Sequence, residues 1–149
     1  MGTNESNVKG ATYKYELGTL DVGNKAWYEI KHVDWQENFI DLTPEMIMCY
    51  MTMGPEEGRP IFLLHGGGDC RVSWSNIAPI FAEQGHRVFV PEHRGHGRSS
   101  APEVECGYYV IEDYAADVIA LMDKLNIEKA DFIGHSCGSL ASQDRKSVV

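Results

Sequence analysis

Positive charge is scarce in this 149-residue chain: 13 lysines and arginines face 22 aspartates and glutamates, for a formal net charge of -9. That imbalance argues against nucleic acid and anionic membrane as partners, because their phosphates would be repelled. Cysteine is sparse and scattered. Cys49, Cys70, Cys106 and Cys137 form no C-x-x-C pair, which argues against a zinc ribbon or a redox dithiol and leaves free thiols in a reducing cytoplasm as the expectation. No apolar run reaches the length of a bilayer span, and the stretch Met1 to Val8 lacks the apolar core of a signal sequence. Gly2 with Ser6 fits a myristoylation pattern and Asn4-Glu5-Ser6 a glycosylation triplet, but both patterns are short enough to arise by chance. What is there, 43% hydrophobic and 23% charged residues, is the make-up of one globular domain with a core of ordinary size.

Residues 1 to 11 are polar and expected to be frayed. Thr12 to Gly18 and Lys25 to Val33 read as β-rich segments of a hairpin, split by the turn cluster Asp21-Val22-Gly23-Asn24. Asp34 to Pro44 shows no clear period. Met46 to Met53 is apolar and stops at Gly54-Pro55, as a buried strand would, with its methionines filling core. Ile61 to Leu64 is a second such run and ends in His65-Gly66-Gly67-Gly68. The spacing of Trp74, Ile77, Ala78 and Phe81 predicts a short helix over 76–84, with Pro79 in its first turn and Gly85 at its end. Val88 to Val90 is another buried strand, followed by a loop rich in glycine and charge from Pro91 to Ser99. Tyr114, Val118, Leu121, Met122 and Leu125 share one helical face, opened by Glu112 and Asp113 and closed by Asn126. Ala130 to Ile133 is a last strand running into Gly134. This alternation implies an α/β fold with a mostly parallel sheet, antiparallel amino-terminal strands and helices on both faces. Ligands in such sheets sit at the carboxyl ends of the strands, where both glycine motifs fall.

Gly134-His135-Ser136-Cys137-Gly138 matches G-x-S-x-G, whose small residues allow a sharp strand-to-helix turn that strains the serine backbone and exposes its hydroxyl. Ser136 is thereby the candidate nucleophile. The N–H of Cys137, at the start of the new helix, is a candidate oxyanion donor, and its thiol is not needed for that. A second donor is expected from the glycine loop after the first parallel strand, Gly67 by choice and Gly68 otherwise. His65 reads as structural and His135 is expected to point away from the neighbouring hydroxyl, so neither is a general base. His93 and His96 lie on a glycine loop rather than one helix face, and no metal is expected there.

With His-Gly-Gly-Gly at 65–68, Arg-Gly-His-Gly-Arg-Ser at 94–99 and Gly-His-Ser-Cys-Gly at 134–138, the chain resembles the α/β-hydrolase family from about Pro60 to Ala141. The resemblance implies an esterase-like serine hydrolase that works without a cofactor on a small-molecule acyl substrate, with Ser136 as nucleophile and Gly67 and Cys137 as oxyanion donors. A serine at 136, where dehalogenase and epoxide-hydrolase relatives use aspartate, points to acyl chemistry. Where many relatives have aspartate before the Arg94 loop, this chain has Glu92, which puts the structural role of a short carboxylate in question. The competing reading is a non-catalytic binding or interaction protein on the same scaffold.

In that family the acid and the histidine follow the serine. Here 13 residues follow Ser136; Asp144 is their one acid and none is histidine. The tail Asp144-Arg145-Lys146-Ser147-Val148-Val149 matches the translation of a common sequencing-adapter string. The expectation is therefore a truncated α/β-hydrolase domain over 1–143, inactive alone, with an adapter-encoded tail over 144–149.

Overall fold

The computed structural model describes residues 6–8, 11–13 and 36–143. The chain divides into two units, Met1–His32 and Val33–Val149. In the first, strand β1 (Ser6–Val8), within the stretch expected to fray, pairs antiparallel with β2 (Ala11–Tyr13), whose Thr12 and Tyr13 open the segment read as β-rich. The register sets Ser6 opposite Tyr13, Asn7 opposite Thr12 and Val8 opposite Ala11. The turn cluster 21–24 and the segment 25–33 lie outside the described residues, as does the tail 144–149.

The second unit is built on a five-stranded sheet of β3 (Gln36–Thr43), β4 (Met46–Met53), β5 (Arg59–Leu64), β6 (His86–Pro91) and β7 (Asp131–Gly134), in the order β3-β4-β6-β5-β7. β3, β4 and β6 pair antiparallel, whereas β5 lies parallel to both β6 and β7. The sequence implies a mostly parallel sheet with antiparallel amino-terminal strands; the sheet is mixed, its antiparallel β3 and β4 leading into a parallel group of β6, β5 and β7, as in the amino-terminal part of an α/β-hydrolase fold. Three helices accompany it: α1 (Ala78–Glu83), α2 (Ile111–Lys124) and α3 (Cys137–Gln143).

Period-2 alternation divides the apolar residues between two faces. Met48, Tyr50, Phe62, Leu64 and Phe89 point to one side and pack under Val118, Leu121 and Met122 of α2. Phe62 stacks between Phe89 and Phe132, with ring centroids 4.9 and 5.2 Å away. Cys49, Met51, Ile61, Leu63, Val88 and Val90 point to the other side, against Trp74, Ala78 and Phe81. The helices thus cover both faces, and the methionines of β4 are core residues.

Two expectations need correction. The segment read as having no period is β3, whose inner positions Asn38, Ile40 and Leu42 alternate with outward Glu37, Phe39 and Asp41. A polar residue on the inner face and an aromatic on the outer one hide that period. The helix expected over 76–84 is shorter: a 3-10 turn at Arg71–Trp74 precedes α1, which holds Pro79 in its first turn. The stop of α2 is as the sequence implies. Asn126 takes φ 55°, and the N–H groups of Asn126 and Ile127 return to the carbonyls of Asp123 and Met122, a Schellman closure.

Candidate active site

β5 and β7 run side by side and end together, Leu64 opposite Gly134. Beyond that point the chain after β7 turns sharply into α3. His135 N–H still reaches Leu64 O at 3.0 Å, Ser136 takes φ 54°, and Ser139 N–H closes the first turn onto Ser136 O at 2.9 Å. A left-handed conformation is strained for serine. It is tolerable here because its neighbours are small: a Cβ on Gly134 would stand 2.5 Å from Gly138 C, and one on Gly138 would stand 2.6 Å from His65 O. Ser136 is left exposed at the carboxyl ends of the strands.

The glycine loop folds against this elbow. A Cβ on Gly66 would lie 3.2 Å from Ser136 Cβ and 2.8 Å from His135 Nδ1. The loop is a β-turn, Asp69 N–H donating to Gly66 O at 3.3 Å with Gly68 at φ 73° in its third position. The N–H groups of Gly67 and Cys137 donate to no oxygen among the described residues. Both lie against Cys137 Sγ: burial raises the pKa of that thiol, while the N–H groups of Gly138, Cys137 and Gly67 work in the opposite sense. Ser136, Gly67 and Cys137 are thus brought together. Gly68 is not an equivalent alternative donor, because its N–H donates to His96 Nε2 at 3.0 Å.

The loop after β6 is fixed by residues whose role the sequence left open. Glu92 is buried, and its Oε2 accepts from Arg98 N–H at 2.8 Å and from the Arg71 guanidinium at 3.0 Å. The longer carboxylate therefore still anchors the loop, and it fills the space a Cβ on Gly97 would need. Arg94 forms a fork with Asp117 of α2, Nε to Oδ2 at 2.7 Å and NH2 to Oδ1 at 2.6 Å. Those bonds hold the guanidinium pKa above its ordinary value against burial.

Two of the histidines are taken up in buried hydrogen bonds. His65 and His93 are fully buried, with ring centroids 4.5 Å apart. His93 N–H donates to His65 Nε2 at 3.0 Å, so His65 carries its proton on Nδ1 and gives it to Gly66 O at 2.8 Å. His93 Nε2 in turn pairs with His65 O at 3.1 Å. Burial lowers both pKa values, that of His93 to about 3. Both rings are therefore neutral near pH 7. No imidazole among the described residues is hydrogen-bonded to the Ser136 hydroxyl. A cavity of about 550 Å³ lined by Arg59, Met122, Lys129 and Ala130 opens at the amino ends of β5 and β7, away from this chemistry.

A family model described as the alpha/beta hydrolase fold matches residues 59–143. The chain belongs to the α/β-hydrolase family. It is 38% identical over 89 residues to the non-heme chloroperoxidase of Streptomyces lividans, covering 60% of this chain and 31% of that protein. The crystal structure of epoxide hydrolase A from Mycobacterium thermoresistibile superposes with a TM-score of 0.66 at 32% identity, over 72% of this chain and 33% of that one. The thioesterase domain from the curacin biosynthetic pathway superposes with a TM-score of 0.65 at 27% identity, over 72% and 39%. The chain thus spans about a third of the length of these α/β-hydrolase enzymes. Among the described residues no helix is long and apolar enough to cross a membrane, and none of the four cysteines is in a disulfide.

Proposed function

We propose that Ser136 is the nucleophile of a cofactor-free serine hydrolase that cleaves a carboxylic ester or related acyl bond through an acyl-enzyme. The observation that carries this reading is the strained, exposed Ser136 at φ 54°, set between two obligatory glycines and against the glycine loop. Relatives with this fold include epoxide hydrolases, but the residue at the turn here is a hydroxyl nucleophile rather than a carboxylate; the thioesterase likeness agrees with acyl transfer.

In the reaction, Ser136 Oγ bonds to the acyl carbon as its proton passes to a general base. The carbonyl oxygen takes up the negative charge within reach of the Gly67 and Cys137 N–H groups. Collapse of the adduct expels the alcohol, amine or thiol, which takes the proton back, and water then cleaves the acyl-enzyme to return a carboxylic acid and free Ser136. Four unpaired thiols fit a reducing compartment such as the cytoplasm. The substrate is a small molecule, since the acidic surface disfavours polyanions.

No histidine follows Ser136 in this sequence, so turnover by the 149-residue chain alone is expected to stay within about 10³ to 10⁴ of the uncatalysed rate. The test is fluorophosphonate labelling of the protein purified from its natural source, with the adduct mapped by mass spectrometry. The expected adduct sits on Ser136 and is lost in Ser136→Ala. Undiminished labelling in that variant, or none in the natural protein, would refute the reading and favour a binding protein.

A further inference from the structure

The oxyanion loop contains two consecutive glycines, Gly67 and Gly68, at the central positions of its turn, and both are exposed. Such a turn has two forms that differ by rotation of the central peptide, one with the third residue near φ -90° and one with it near φ +80°. Glycine pays no steric penalty in either. The observed φ of 73° at Gly68 is the second form, and nothing within the loop selects it. The selecting contact comes from the loop after β6. His96 Nε2 accepts the Gly68 N–H at 3.0 Å, while its Nδ1 pairs with Arg94 O at 3.0 Å. A carbonyl can only accept, so Nδ1 carries the ring proton and Nε2 presents a lone pair. In the rotated form the Gly67 carbonyl oxygen would face that lone pair, and the contact would turn repulsive.

We propose that His96 is a positioning residue: by accepting the Gly68 N–H, its neutral imidazole tethers the glycine turn to the loop after β6, so that the Gly67 N–H at the start of that turn keeps its place beside the elbow for the oxyanion. Arg94, through its fork with Asp117, anchors the loop that carries His96, and its carbonyl fixes the tautomer. The inference rests on the reading of Ser136 as an acyl nucleophile, and it adds a component from a different loop whose action is confined to charge stabilisation.

Two measurements test it. In the isotopically labelled natural protein, an N–N coupling across the hydrogen bond should connect the Gly68 amide to His96 Nε2, a readout independent of catalysis; its absence beside well-dispersed neighbouring amide signals overturns the clamp. In the natural protein, His96→Leu removes the acceptor, whereas His96→Gln keeps one close to the Nε2 position. The expected result is a fall in kcat of about 10- to 100-fold for His96→Leu with KM little changed, and recovery to within roughly 3-fold in His96→Gln. Equal losses in the two variants, or a change in KM alone, would assign His96 to packing and overturn the proposal. Ser136 labelling separates the two levels: normal labelling with an unaffected kcat in His96→Leu overturns this inference alone, and no labelling of the natural protein overturns both.

Discussion

Replacing Arg94 by leucine should be among the most damaging single changes in the described structure. The guanidinium meets Asp117 through two parallel bonds of 2.7 and 2.6 Å, and the Asp117 side chain is only 5% exposed against 15% for Arg94. Removing the cation leaves a carboxylate stranded in α2 without solvent, which costs about 3–5 kcal/mol. The reverse change, Asp117→Leu, leaves a cation that still has Asp113 at 3.4 Å and the face of Tyr109 at 5.6 Å. Its loss should be smaller, about 1.5–3 kcal/mol. The double variant removes both charges from a site that can be filled with apolar groups, so it should recover most of the stability, far from the sum of the single losses. Urea unfolding of the four proteins measures these differences, with the slope serving as a check that the transition stays two-state. The exposed pair Arg59–Asp131, 2.6 Å apart but with side chains 73% and 38% exposed, is the internal control; Asp131→Asn should cost no more than about 1 kcal/mol. If Arg94→Leu costs as little as the control, or the double variant loses the full sum, the ion pair does not hold the loop to α2.

Two further outcomes are expected. Burial sets the His93 pKa at about 3 against 6.5 in the unfolded chain, so as pH falls the unfolded state takes up a proton that the native state refuses. The associated stability is complete above 6.5 and is lost progressively between 6.5 and 3; urea midpoints from about pH 7 to about pH 4 should fall less steeply in His93→Gln, and an unchanged slope would count against it. Gly138→Ala places a Cβ 2.6 Å from His65 O and 2.7 Å from Leu64 C, and backbone cannot yield as a flexible side chain does. The expected cost is about 1–3 kcal/mol, seen as a lower melting temperature. Displacement of the elbow by roughly 1 Å should slow Ser136 labelling about 100-fold, and normal labelling would show that the elbow tolerates a side chain there.

Much of this was legible in the sequence because the signals were local. β4, β5, β6 and β7 are short apolar runs ending in glycine, proline or charge, and α2 carries its period in fourteen residues with its stop, Asn126, just beyond them. The elbow is a pentapeptide whose glycines have no other use. β3 was missed because an edge strand buries only one face, and here that face includes Asn38 while Phe39 lies outside beneath the Arg98 guanidinium. The parts of the site that escaped notice depend on partners remote in sequence. His96 meets Gly68 28 residues away and Arg94 meets Asp117 23 residues away, and no periodicity reports such pairs. The resemblance of the 94–99 segment to a family motif marked the loop but not which atoms it holds.

The packing of Glu92 against Gly97 has an evolutionary consequence. The two positions share one small volume, so their substitutions are not independent: any side chain at 97 collides with the carboxylate while glutamate occupies 92. A lineage could explore position 97 only after 92 had first been shortened, and in doing so it would have to re-seat the Arg71 and Arg98 contacts that Glu92 now holds. Position 97 is thereby held twice, by the carboxylate of Glu92 and by a backbone at φ 54° that itself favours glycine, and the order of mutation along the loop is constrained accordingly.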